Sequence, residues 1–179
     1  MGSAAAGYIW TMRGVYALLG LLILFIQLLP LETQTRSFVA PDFLLALTFV
    51  WVARRPDLAP TLACAALFLL ADLLLQRPPG LWAGLALMAT EALRSRADDL
   101  RDMLFSVEWA IASAFIAALY VTYAAFWALL MPYEITYWLL GLQMILTILS
   151  YPVLAGLSMA LFGVAKAAPG QTDDKGRKL

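Results

Sequence analysis

Residues 103–131 read MLFSVEWAIASAFIAALYVTYAAFWALLM, an apolar run in which Glu108 is the only charged residue. In a helix that rises about 1.5 Å per residue, this run is longer than a bilayer core of about 30 Å. The chain contains five further apolar segments, at residues 14–31, 41–53, 57–75, 79–93 and 135–165. This pattern predicts an all-α, polytopic membrane protein with six transmembrane helices.

The composition agrees with a membrane location and excludes several classes of function. Of the 179 residues, 63% are apolar and 13% are charged, and the mean hydropathy is +0.82. The formal net charge is zero, so we expect no nucleic-acid partner. The chain has no histidine and a single cysteine, Cys64, which we interpret as a packing residue. We therefore expect no metal site, no cofactor and no catalytic residue.

The apolar segments leave no room for a soluble domain. Residues 1–165 are predicted to form one six-helix transmembrane domain. Residues 166–179 (KAAPGQTDDKGRKL) lose the apolar pattern and gain charge, Gly and Pro. This composition predicts a disordered cytoplasmic tail.

The distribution of Lys and Arg predicts the orientation. With six spans and a cytoplasmic N-terminus, the outside receives only Arg36 and Arg77. The cytoplasmic side receives Arg13, Arg54, Arg55, Arg94, Arg96, Arg101, Lys166, Lys175, Arg177 and Lys178. A five-span alternative, with the N-terminus outside and residues 41–53 dipping into the membrane and returning, has the same charge asymmetry. We favour six spans because the apolar residues of 41–53 are not confined to one face. The C-terminus is cytoplasmic in both versions.

Four carboxylates fall at membrane depth, where ionisable residues are costly and deserve individual interpretation. We interpret Asp42, after Pro41, as a helix N-cap, and Asp72 as the partner of Arg77 or Arg36 in an ion pair. On the cytoplasmic side, Glu91 lies three residues before Arg94, which favours an ion pair. Glu108 is interpreted as a satisfied charge at the membrane interface.

The fifth span carries a face of small residues, a feature typical of close helix packing in membranes. Its members recur every four residues: Ala110, Ala114, Ala118 and Thr122. They are predicted to pack on another span of the same chain or on the helix of a partner protein, whereas Leu119 is predicted to face outward. In the sixth span, Pro152 removes a backbone hydrogen bond and is expected to bend the helix.

Two stretches of the sequence resemble a known family. PDFLLALTFVWVARRPDLAP begins at Pro41, and LADLLLQRPPGLWAGLAL contains Asp72. Both are similar to the core of the rod shape-determining protein MreD family in its alphaproteobacterial form, as is the VEWAIAS stretch around Glu108. The chain departs from that family at the turn after Asp72, where it has Gln76 and Arg77 in place of small residues.

The resemblance implies a non-enzymatic scaffold of the cell-elongation machinery in the bacterial inner membrane. The implied partners are MreC, RodA, a class B penicillin-binding transpeptidase and, at the cytoplasmic loops, the MreB filament. It also implies a fold similar to the substrate-binding subunits of energy-coupling-factor vitamin transporters. A ligand-binding membrane subunit is therefore the alternative function, and a small membrane enzyme that uses Asp72 or Glu91 is a third.

Overall fold

The structure is a computed structural model that describes residues 2–29, 39–130 and 137–165. Within these ranges the chain is helical and contains no strand. The helices are α1 (Gly2–Leu28), α2 (Phe43–Arg54), α3 (Thr61–Leu74), α4 (Leu81–Arg94), α5 (Ala97–Arg101), α6 (Phe105–Leu130) and α7 (Tyr137–Phe162). The predicted helical class is confirmed for this part of the chain. The predicted tail, 166–179, lies outside the described residues.

Each of the six predicted segments coincides with one helix, and the helices differ in length. Three are long and apolar enough to cross a membrane, over Ala6–Leu28, Phe105–Leu129 and Tyr137–Phe162. The helices α2 and α3 are apolar but shorter. Two features were not predicted: α1 begins at Gly2 instead of residue 14, and the short helix α5 precedes α6.

The shortest of the six, α2, forms the centre of the bundle. Every residue from Leu44 to Ala53 is buried, and the helix is surrounded by α1, α4, α5 and α7. Burial on all sides explains why its sequence is apolar around the whole circumference. α2 has 12 residues.

The remaining helices pack as pairs around α2. The α3–α4 pair and the α6–α7 pair are antiparallel hairpins, and α4 joins them by packing on α6. α1 packs on α2 and α3. Gly20 allows this approach, because a Cβ at that position would lie 2.6 Å from Leu67 Cδ1. Cys64 is buried at the same contact and accepts a hydrogen bond from Tyr16 Oη at 3.3 Å, in agreement with a packing role.

The ends of the helices lie at different levels. The Asp42 N–H donates to Thr147 Oγ1 at 2.9 Å, so the beginning of α2 is level with Thr147 in α7. From there α7 continues for ten residues to Tyr137, about 15 Å at the helical rise. We call this side of the bundle the Arg77 end and the opposite side, where α2 stops, the Arg54 end. At the Arg77 end, α2 is therefore recessed relative to α7.

Candidate functional site

A buried charge cluster lies at the Arg54 end, and we call Arg54, Glu108 and Tyr151 the Arg54 cluster. Arg54 Nε donates to Glu108 Oε1 at 3.0 Å, and Tyr151 Oη donates to the same oxygen at 2.9 Å. Glu108 is fully buried, and the Arg54 side chain is 9% exposed. The three residues come from α2, α6 and α7. The cluster therefore connects the central helix to the α6–α7 hairpin.

Arg54 also donates hydrogen bonds to carbonyl oxygens within α7 and just after it, and it lies at the end of its own helix. The Nη1 group donates to the carbonyl oxygens of Ala155, at 3.1 Å, and Val164, at 3.4 Å. Arg54 is also the last residue of α2, where a cation interacts favourably with the helix dipole. Taking two charges out of water is costly, and the pair is stable only because these hydrogen bonds accompany it. Glu108 was expected at the interface, and the structure places it in the protein interior instead.

A second ion pair connects the end of α4 to the loop before α3. Arg94 Nε lies 3.1 Å from Glu91 Oε1, which is the pairing that the sequence predicts. The same guanidinium donates to the carbonyl oxygens of Pro56 and Ala59, each at 2.6 Å. Thr61 Oγ1 also donates to Glu91 at 2.9 Å. Glu91 and Arg94 thus fasten the end of α4 to the α2–α3 connection.

At the opposite end, Asp42, Asp72, Arg77 and Trp82 form what we call the Arg77 cluster. Asp42 is the N-cap of α2, where its Oδ1 accepts the Leu45 N–H at 3.0 Å. Arg77 Nη1 lies 3.6 Å from Asp42 Oδ2, and the guanidinium carbon lies 5.0 Å from the centre of the Trp82 ring. The expected pairing of Asp72 with Arg77 is therefore wrong, since Arg77 pairs with Asp42. Arg36, the other expected partner, lies outside the described residues.

Asp72 instead caps a neighbouring helix. Its Oδ2 accepts the N–H groups of Gly80 and Ala83, both at 3.0 Å, in the first turn of α4. Gly80 is the N-cap of α4 and has a φ of +88°, a conformation that glycine adopts without strain. The carboxylate thus meets the positive end of the α4 dipole. Asp72 is fully buried, and its Oδ1 has no hydrogen-bond partner among the described residues.

Trp109 supplies the hydrogen bond that Pro152 removes. A proline in a helix leaves the carbonyl four residues earlier without its donor, which in α7 is the carbonyl of Ile148. Trp109 Nε1 donates to this oxygen at 3.0 Å. Trp109 thus joins α6 to α7. The sequence contains a signal for this contact, because Pro152 implies that the Ile148 carbonyl needs another hydrogen-bond donor.

The small-residue face of α6 points away from the bundle. All four of its members are exposed: Ala110, Ala114, Ala118 and Thr122. The prediction that this face packs on another span of the same chain is therefore wrong for the described residues. Leu119, predicted to face outward, is only 3% exposed. The buried face of α6 instead carries Glu108, Ala112, Ile116, Leu119, Tyr120 and Tyr123.

The carboxylates are held apart in space. Asp42 and Asp72 lie at the Arg77 end, and Glu91 and Glu108 lie at the Arg54 end. Among the described residues, no group of three or more His, Cys, Asp or Glu side chains is placed to hold a metal ion. Comparisons with family models, with curated proteins and with solved structures find no match for the chain.

Proposed function

We propose that the protein is a non-enzymatic scaffold of the MreD type in the bacterial inner membrane, which supports cell elongation by binding other membrane proteins. The proposed topology has six crossings, with both termini in the cytoplasm. The proposed partners are MreC, RodA and a class B penicillin-binding transpeptidase, with the MreB filament at the cytoplasmic loops. The proposal starts from the resemblance of residues 40–110 to this family and draws on the geometry for support.

The path of α2 supports six crossings over five. α2 is one continuous helix that begins level with Thr147 and ends beside Ala155, so it does not turn back within the bundle. Cysteine labelling in a Cys64→Ala background tests this topology. With six crossings, Ser3→Cys and Ser95→Cys react from the cytoplasm and Arg36→Cys reacts from outside. Labelling of Ser3→Cys from outside and of Arg36→Cys from the cytoplasm would establish the five-span alternative.

The observation that carries the scaffold proposal is the exposed small-residue face of α6. From residue 106 to residue 120, every exposed position carries serine or alanine, namely Ser106, Ala110, Ala114 and Ala118. Exposed positions of α7 include the large apolar residues Leu149, Val153, Leu157 and Leu161, together with the small residues Gly156 and Ala160. Small side chains allow two backbones to approach closely, and this packing drives helix association in lipid. The α6 face therefore suits a partner's transmembrane helix.

The structural contacts of the four carboxylates also favour a scaffold. Asp42 and Asp72 cap helices, and Glu91 and Glu108 join elements that are distant in sequence. Each of these carboxylates thus has a role in holding the helices in place.

Partner recovery tests the α6 face directly. We expect Ala114→Leu and Ala118→Leu to reduce recovery of single-span partners from native membranes, because the added volume separates the two helices. The matched control is Ala66→Leu, an equal change at an exposed alanine in the middle of α3. Equal recovery for all three variants would contradict the proposed role of the face.

A second candidate function is a ligand-binding membrane subunit with the fold of the energy-coupling-factor substrate-binding proteins. The observation that favours it is the presence of two buried polar atoms without partners among the described residues, Asp72 Oδ1 and Trp127 Nε1. Aromatic contacts run from Trp127 to Trp82, with Tyr123 6.3 Å from Trp127 and 5.0 Å from Trp82 between ring centres, and Trp82 precedes the Ala83 N–H that Asp72 accepts. Native mass spectrometry of the purified protein distinguishes the candidates. A stoichiometric small molecule other than a phospholipid in the spectrum supports ligand binding and argues against a scaffold alone.

A further inference from the structure

The α3–α4 hairpin faces lipid but is short for the bilayer. Each helix has 14 residues. At the helical rise this corresponds to about 20 Å, against a core of about 30 Å. Large apolar side chains on the outer surface of the hairpin are exposed, among them Leu62, Leu69, Leu73 and Met88. Unlike α2, the hairpin is therefore not shielded from lipid along its length.

The turn of this hairpin carries polar side chains at a depth where lipid tails are expected. Gln76 and Arg77 follow Leu75, the C-cap of α3, and Gln76 is exposed. The ion pair of Arg77 with Asp42 places the turn level with Thr147. The turn consequently lies about 15 Å deeper in the bundle than Tyr137, the residue at which α7 begins. A short hydrophobic element is accommodated by thinning of the bilayer beside it, which brings lipid headgroups down to its end.

The guanidinium N–H groups of Arg77 are available to bind a lipid headgroup. Its side chain is 22% exposed and donates no hydrogen bond among the described residues, since its ion pair with Asp42 spans 3.6 Å. Trp82 supports the guanidinium from one face, at 5.0 Å. A guanidinium held in this way presents a planar fork of N–H groups, which matches the oxygens of a phosphate.

The two nearby carboxylates do not exclude an anion from this position. Asp42 and Asp72 each accept backbone N–H groups at the beginning of a helix, α2 and α4 respectively. The positive ends of those helix dipoles offset part of their charge. Asp72 is also fully buried, whereas the Arg77 guanidinium reaches the surface.

We propose that the turn between α3 and α4 binds the phosphate of an anionic phospholipid through Arg77, in a leaflet that is thinned over this hairpin. The proposal rests on the membrane crossing of α3 and α4 stated under the proposed function, and it does not depend on a role in cell elongation. Gln76 and Arg77 are the residues at which the chain departs from the MreD pattern. The site is therefore a property of this chain, independent of the resemblance.

Native mass spectrometry of the full-length protein in detergent, titrated with phosphatidylglycerol, tests the site. We expect one lipid to be retained preferentially over phosphatidylcholine. Arg77→Gln is expected to weaken its binding about tenfold, or about 1.4 kcal/mol, because it removes the charged donors that hold the phosphate. The matched control is Arg101→Gln, which removes a similarly exposed arginine from an ion pair at the opposite end. Equal retention by the wild type and Arg77→Gln would overturn the proposal.

Two further measurements keep the test decisive if Arg77→Gln does not fold. Arg77→Lys keeps the charge but loses the planar fork, so we expect binding weaker than in the wild type. In the wild type, a photoreactive phosphatidylglycerol is expected to label residues 73–81. Labelling elsewhere only would show that this turn is not a lipid site. Displacement of the lipid by millimolar inorganic phosphate would overturn the assignment to a lipid, because the turn would then recognise free phosphate.

Discussion

Removal of Glu108 is expected to destabilise the bundle through the charge that it leaves behind. In Glu108→Ala, the Arg54 guanidinium is still held 9% exposed between α6 and α7 without its carboxylate. Breaking a buried ion pair by removing one partner costs about 3–5 kcal/mol. The Tyr151 hydroxyl, which donates to Glu108 at 2.9 Å, loses its acceptor at the same time. We therefore expect a loss of unfolding free energy near the upper end of this range.

The double variant Arg54→Met/Glu108→Met separates the cost of an unpaired charge from that of lost packing. Replacing both members of a buried pair by apolar residues is often neutral or stabilising by about 1–4 kcal/mol. We expect the double variant to recover most of the stability that Glu108→Ala loses. The assay is reversible unfolding in mixed detergent micelles, followed by circular dichroism.

Glu91→Gln serves as the control, because Glu91 is 38% exposed and its pair with Arg94 is partly hydrated. Exposed pairs contribute about 0–1 kcal/mol, so a small effect is expected. If the double variant were as unstable as Glu108→Ala, the unpaired charge would not be the cause. The reasoning about the Arg54 cluster would then be refuted.

The same unfolding assay checks three other contacts. Trp109→Phe keeps the ring but leaves the Ile148 carbonyl unpaired, and we expect a loss of about 1–3 kcal/mol. Gly20→Leu overfills the contact with Leu67 and is expected to cost about 1–3 kcal/mol, whereas an unchanged stability would contradict the close approach of α1. Asp72→Asn retains an acceptor for the first turn of α4, so we expect a loss of about 1 kcal/mol, and about twice that for Asp72→Leu. Equal losses for the two Asp72 variants would show that capping is not its role.

The positions of the helices could be predicted from the sequence, because apolar runs and the Gln76–Gly80 turn mark them directly. The orientation of α6 about its axis could not, since both its faces are apolar. Leu119 was therefore assigned to the wrong side, and the sequence left open whether Ala114 packs within the chain or on a partner. A small residue can pack against another helix of the same chain or lie on a surface that binds a second protein. Only the contacts of the folded bundle distinguish these two cases.

Side-chain partners were predicted only when they were close in sequence. Glu91 and Arg94 lie on one helical face, so their spacing suffices. Arg54 and Glu108 are separated by 54 positions, and nothing in their local sequence indicates the pairing. Asp72 was assigned to the nearby Arg77 for the same reason, whereas its partners are backbone groups of α4. Local spacing contains no information on how α2, α4 and α6 are arranged.

Site-specific photo-crosslinking in native membranes tests the central claim, that the outward face of α6 binds another membrane protein. A photoreactive amino acid is placed at position 114 of α6 and, as the control, at position 66 of α3, both of which are exposed. We predict a crosslink to a single-span membrane protein from position 114 and only lipid adducts from position 66. Lipid adducts alone at both positions would contradict the claim.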